Sequence, residues 1–311
     1  MEHRKKIQHV CATSRYALPV TLIYSVLMLL PAIGINIANQ VLAFLLITVA
    51  TFLMVELNNR NALIRIYSRM VSCSFLVLMM MSRFLLGDYR NGIVAVGIIV
   101  AYLILFKAYQ DKQSMGLMFY ASVIIGFTSF AWIQVLVFMP VIWIFSIFNL
   151  QCMSVRSWIA SILGVTLPYW LVIGGSYLNG TTTVVIARCL AQLHTAHGMV
   201  ITGLDIHKLV SLTWIAILAL TGTIHFLRHS YNDSIHVRML FEIFIFTGMC
   251  TLVMILFSPE YFEPLLTVLI INVSPLISHY MTLTNTKITN ISFYFIVAIT
   301  IFITIFNTWT L

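Results

Sequence analysis

Long apolar runs, each closed by a few polar residues, organise this chain. No Asp, Glu, Lys or Arg occurs between Arg15 and Glu56, a gap of 40 residues, or between Lys112 and Arg156, a gap of 43. A helix crossing the hydrocarbon core needs about 20 apolar residues, so each gap holds two spans and a tight hairpin. Further gaps run from Arg156 to Arg188, Lys208 to Arg228, Glu242 to Glu260, Glu263 to Lys287, and Lys287 onward. The runs are apolar all round, whereas a transmembrane β-barrel shows short alternating segments. The pattern predicts an all-α, polytopic transmembrane helix bundle.

Spans are predicted near 17–35, 38–56, 67–86, 91–109, 114–130, 132–149, 157–177, 209–227, 239–257, 264–281 and 291–309, about eleven in all. The breaks at Ile35–Asn39 and Ala131–Trp132 are either full hairpins or kinks within one re-entrant element. With the N-terminus inside, 13 Lys and Arg fall on the cytoplasmic side. Arg83, Arg90, Arg188 and Lys208, 4 in all, fall outside. That bias obeys the positive-inside rule, and an odd span count then puts Leu311 outside. The chain reads as one transmembrane domain over residues 1–311, with residues 1–16 a basic cytoplasmic N-terminus. The apolar run Ala17–Gly34 is too long for a signal-peptide core and is expected to stay attached as the first span. The longest outer loop, 178–208, is expected to carry a short amphipathic helix over Val184–His197.

Composition agrees. Of 311 residues, 61% are hydrophobic and 8% charged, where a soluble domain carries roughly 25% charge. The net charge of +8 is spread over the loops, which argues for topology and against a nucleic-acid partner. Cys11, Cys73, Cys152, Cys189 and Cys250 are widely spaced, with no CxxC pair or zinc pattern, and read as small apolar fillers. Pro140, Pro168 and Pro275 fall within predicted spans. Each either bends its helix for packing or marks a broken helix lining a cavity.

Ionisable groups at membrane depth are the candidates for chemistry. Arg83 either snorkels or pairs with Asp88, or it joins Arg90, Arg188 and Lys208 as an outer clamp for an anionic lipid head group, where the guanidinium fork suits phosphate oxygens. Asp88 is then the candidate catalytic base, although Asp205, Glu260 and Glu263 lie on the same side. His225, Glu242 and His279 form a possible intramembrane cluster near the cytoplasmic ends of their helices, able to relay protons or simply solvated there. His194 and His197 have helical i, i+3 spacing, but no metal pattern accompanies them, and no metal or cofactor is expected. No Walker loop, GxGxxG, GxSxG or kinase signature occurs, which excludes the common nucleotide-driven chemistries.

Two stretches carry a resemblance. One is Met54-Val55-Glu56-Leu57-Asn58-Asn59-Arg60, leading into Met70–Met81. The other runs from Ser114 through Gly126-Phe127-Thr128-Ser129-Phe130 to Arg156-Ser157-Trp158-Ile159 and Gly164-Val165-Thr166-Leu167-Pro168-Tyr169. Together, over about residues 40–180, they resemble an uncharacterised multi-pass inner-membrane protein family of the Bacteroidota; Ser157 stands where that family often has an acid. The same stretch more loosely resembles polytopic glycosyltransferases that use polyprenyl-phosphate sugars. Those enzymes place an acidic motif in the first outer loop, whereas Ile35–Gln40 contains no acid. The resemblance implies a bacterial cytoplasmic membrane protein with membrane lipids, a prenyl-phosphate lipid or other membrane proteins as partners. Its role would be a non-catalytic component of envelope biogenesis. The alternative is a glycosyltransferase-like enzyme at the outer face, and a transporter ranks third.

Overall fold

The computed structural model describes residues 7–29, 37–178, 205–284 and 286–309, together with Gly180, Thr183 and Ala187. Among these the regular structure is helical and no strand occurs. The helices are α1 Ile7–Thr13, α2 Ala17–Leu29, α3 Ile37–Asn61, α4 Met70–Met81, α5 Tyr89–Leu105, α6 Met115–Thr128, α7 Phe138–Phe148, α8 Val155–Leu178, α9 Ile206–His229, α10 Ile235–Phe257, α11 Phe262–Leu283 and α12 Lys287–Trp309. Short 3-10 segments at Arg83–Gly87, Phe106–Ala108, Ile133–Val137, Ser230–Asn232 and Pro259–Tyr261 extend or join them.

Each predicted span overlies one of α2 to α12. Among the described residues seven helices are long and apolar enough to cross a membrane, namely α3, α5 and α8 to α12. The other four, α2, α4, α6 and α7, are shorter. The reason is visible at α4, whose last regular turn closes at Ser82, with its N–H on Leu78 O; the chain then tightens into the 3-10 segment Arg83–Gly87. At Ala131–Trp132 the structure has a full hairpin. Ser146 near the end of α7 reaches Met118 near the start of α6, so the two helices run antiparallel. Leu18 early in α2 likewise packs with Val55 late in α3.

The helix ends gather at two faces. At the N-terminal face Gln8 donates to Met281 O and Thr284 Oγ1, both at 2.8 Å, Arg65 reaches Asn232 O, and Gln110 N–H reaches Leu150 O. At the opposite face Arg83 donates to Thr308 O and Lys208 meets Glu263. Arg15, Arg60, Arg65, Arg69, Lys107, Lys112, Arg156, Arg228, Arg238 and Lys287 lie in or beside the terminal turns of helices at the N-terminal face. Arg83, Arg90 and Lys208 lie at the other.

The most buried span is α11, with 94% of its most apolar stretch inside the bundle, against 22% for α8 and α12. Its mean hydropathy of 1.5 equals that of the peripheral α8, so the mean does not set its place. It carries Thr267, Asn272, Ser274, Ser278, His279 and Thr282, all buried. Hydrocarbon satisfies none of these groups, so the helix that bears them is placed among other helices. Tyr102 of α5 donates to Asn272 Oδ1 at 3.0 Å, and Thr247 of α10 does so at 3.2 Å. Ser74 of α4 meets Ser278 at 2.7 Å. The outer surface is apolar too: Leu163, Trp170 and Tyr177 on α8, and Ile291, Phe295 and Phe302 on α12, are well exposed. A surface that apolar needs lipid as its solvent.

α11 continues unbroken through Pro275, and α8 through Pro168. Pro140 sits in the first turn of α7, where its missing N–H costs nothing. Of the two readings of these prolines, the described helices follow the continuous one and not the broken one. Close crossings rest on small residues. A Cβ on Gly126 would stand 2.8 Å from Val165 O and 3.0 Å from Pro168 Cγ, and one on Gly164 would stand 2.6 Å from Phe119 O. The two halves of the Ser114–Tyr169 motif are thus the two sides of the α6–α8 contact, fastened by Ser129 Oγ and Tyr169 OH at 2.6 Å.

Candidate functional site

At the N-terminal face the connection from α9 to α10 folds back under α11. Asp233 follows the 3-10 segment Ser230–Asn232, and its carboxylate turns inward until the side chain is 1% exposed. One oxygen meets His279 Nε2 at 3.0 Å, with His279 equally buried, and the other meets Arg65 Nε at 3.1 Å. The His225 ring lies 5.4 Å from that of His279 and stacks on His229 at 4.5 Å. Phe226 and Phe241 wall off the far side of His279. The Nδ1 atoms of His225 and His279 are buried with no hydrogen-bond partner among the described residues. In this group the Asp233 carboxylate meets both His279 Nε2 and Arg65, which ties the α3–α4 and α9–α10 connections to α11.

Of the three residues His225, Glu242 and His279, the structure brings His225 and His279 together. Glu242 does not join them: it is exposed on α10, where Asn149 Nδ2 donates to it at 2.8 Å. Asp233 takes that place, a residue with no apolar run around it to mark it as buried. Only the ion-pairing preference of a buried histidine could have hinted at an acid nearby.

At the opposite face the structure gives the expected phosphate-clamp residues protein partners. Arg83 Nη1 donates to Thr308 O at 3.0 Å. Lys208 Nζ stands 3.1 Å from Glu263, whose other oxygen accepts from Asn91 at 3.3 Å, and Lys208 also lies over the rings of Phe84 and Phe262. Arg90 approaches Asp88 at 3.9 Å. Asp88, the candidate base, is the N-cap of α5, accepting from Arg90 N–H at 2.9 Å. This cap is the cause of its position, since an aspartate there satisfies an orphan helix N–H. His207 rests against the Phe306 ring. Arg188, His194, His197 and the predicted helix Val184–His197 lie outside the described residues.

Sequence reasoning missed a cavity of about 450 Å³ in the half of the bundle toward the N-terminal face. Its walls are α2, α4 and α12, through residues such as Val20, Val77 and Val297, with Leu218 of α9 and Ile277 and Met281 of α11 behind. Ser14, Tyr16, Thr21, Tyr24, Cys73, Ser74 and Thr300 are the polar residues of the lining, and most are engaged elsewhere, Thr21 donating to Leu18 O at 2.9 Å. Tyr24 donates to Thr304 at 3.0 Å, Thr300 accepts from Trp214 at 3.1 Å, and Ser74 is bonded to α11. What remains facing the cavity is hydrocarbon. Val20 and Val297, on opposite walls, are also exposed to the outside, so the cavity opens sideways. Searches of protein-family models, curated proteins and solved structures find no match to this chain.

Proposed function

We propose that this chain is a non-catalytic multi-pass membrane protein that holds the hydrocarbon chain of a membrane lipid between α2, α4 and α12. The single observation that supports this reading is the sideways-open, hydrocarbon-lined cavity. Its size lies within the range of ligand pockets, about 300–1,000 Å³. Acyl or prenyl chains are present at that depth at very high concentration and lose no polar hydration on entering. The acids at the opposite face favour holding over chemistry, since Asp88 caps α5 and Glu263 meets Lys208 and Asn91. Following the resemblance to the Bacteroidota family, the protein sits in the bacterial cytoplasmic membrane with its basic face inside. There it serves envelope biogenesis by retaining a lipid.

The test is lipid retention. The purified chain, washed in delipidating detergent and extracted for mass spectrometry, is expected to keep a stoichiometric lipid. Val77→Trp and Val297→Trp, which fill the cavity, are expected to release it. Equal retention in both variants would reject the reading.

A further inference from the structure

The cavity has a direction. Beyond Cys11 and Ser14, its lining runs from Tyr16, just before α2, to Tyr24 on α2, from Met70 to Leu78 on α4 and from Phe293 to Ile301 on α12. Each stretch spans eight helical steps, about 12 Å at 1.5 Å per residue. Half of a ~30 Å hydrocarbon core is about 15 Å, so the cavity matches one leaflet and ends near the midplane. At that end Tyr24 and Thr300 close it through their bonds to Thr304 and Trp214. The other end reaches the N-terminal face, where α1 lies across the base of α11 and α12 through Gln8.

Every wall begins with a base. Arg15 lies between the lining residues Ser14 and Tyr16 just before α2, Arg69 directly precedes the first lining residue of α4, and Lys287 opens α12 six residues before Phe293. None of the three has an acidic partner among the described residues, whereas Arg60, Arg65, Arg90 and Lys208 each have one. Arg15 and Lys287 are exposed. Arg69 is half-buried, its Nε 3.2 Å from the Tyr67 hydroxyl and its guanidinium 5.6 Å from that ring. No acid flanks this mouth on α2, α4 or α12: Glu56 is paired with Arg60 one helix away, and Asp233 with His279 and Arg65. Three cations without an acidic partner among the described residues therefore stand where the three walls begin.

We infer that the cavity takes an anionic phospholipid from the leaflet at the N-terminal face, its chain between α2, α4 and α12 and its phosphate between Arg15, Arg69 and Lys287. This rests on the lipid-holding reading and adds the head-group class and the leaflet. It also moves the anion site to the opposite end from Arg83, Arg90 and Lys208. Arginine at two of the three positions suits the bidentate geometry of phosphate oxygens.

The experiment titrates the full detergent-purified chain with phosphatidylglycerol and with phosphatidylcholine of identical acyl chains, reading occupancy by native mass spectrometry. Phosphatidylglycerol is expected to bind about tenfold more tightly, a preference that shrinks as salt rises. Arg15→Gln with Arg69→Gln should bring phosphatidylglycerol down to the phosphatidylcholine level and leave phosphatidylcholine unchanged. Arg15→Gln alone, at an exposed site with no ion pair, should give part of the effect if the double variant does not fold. Equal binding of the two lipids by the parent, or an undiminished preference in the arginine variants, overturns the inference and leaves lipid holding intact. Undiminished binding of both lipids by Val77→Trp overturns lipid holding itself.

Discussion

Asp233 and His279 form a deeply buried acid–histidine contact, 3.0 Å apart and each 1% exposed at the side chain. They lie 46 residues apart in the chain. The pair closes the α9–α10 connection onto the central helix, and Arg65 brings the α3–α4 connection to the same carboxylate. Removing one partner strands the other. Asp233→Ala is expected to lower stability by about 1–3 kcal/mol, because the buried His279 ring loses its hydrogen-bond partner. Replacing both residues by leucine should cost clearly less. Thermal unfolding in detergent measures the difference, and a double variant as damaged as Asp233→Ala alone would reject the assignment.

The α6–α8 crossing supplies an internal control. Gly164 has no room for a side chain, whereas Gly174 and Gly175, two turns or more further along α8, face open space. Gly164→Val should destabilise by about 1–3 kcal/mol through overpacking. Gly174→Ala and Gly175→Ala should be neutral or stabilise by up to about 1 kcal/mol. If all three behave alike in the same unfolding assay, the close contact with Phe119 is not the reason for glycine at 164.

Cys152 lies in the connection between α7 and α8, fully covered, with its thiol donating weakly to Ser146 O. Burial pushes the thiol above its ordinary value of 9.0, outweighing the hydrogen bond to Ser146. The unfolded chain therefore releases this proton at lower pH than the folded one. The cysteine's contribution to stability is full below pH 9 and falls as pH rises through the folded value. Cys152→Ser should flatten that alkaline decline, and native Cys152 should resist maleimide until the chain is unfolded. Labelling of Cys152 in the native protein at neutral pH would contradict its burial.

Topology is testable at two open sites. Lys112 is exposed at the N-terminal face, and Gly87 at the opposite face has no neighbour within 4 Å of an added Cβ. In a cysteine-free background, Lys112→Cys is expected to label with a membrane-impermeant maleimide only after the cells are opened. Gly87→Cys should label on intact spheroplasts. The reverse pattern would invert the bundle and move the lipid site to the other leaflet.

The membrane-crossing helices were legible in the chain because hydrocarbon imposes a one-dimensional rule: about 20 residues without charge. The gaps from Arg15 to Glu56 and from Lys112 to Arg156 each proved to hold two helices. The same rule misjudged α4, where the apolar run continues to Leu86 but the helix tightens at Ser82. Hydropathy measures what lipid tolerates and says nothing of a local change in helical winding. His225 and His279 were visible as a pair because both are costly at that depth. Glu242 was visible for the same reason and lies elsewhere, since depth along a helix does not state which way a side chain faces.

Residue order thus determined that lipid is this protein's solvent, where its helices run and how its bases divide between two faces, since each follows from the transfer cost of a stretch of chain. Tertiary packing alone decided that Asp233 is buried, that Asp88 is a helix cap, and that α2, α4 and α12 leave space between them. Those outcomes depend on which surfaces of separate helices meet. An unfilled volume belongs to no single residue, so no pattern along the chain could announce it.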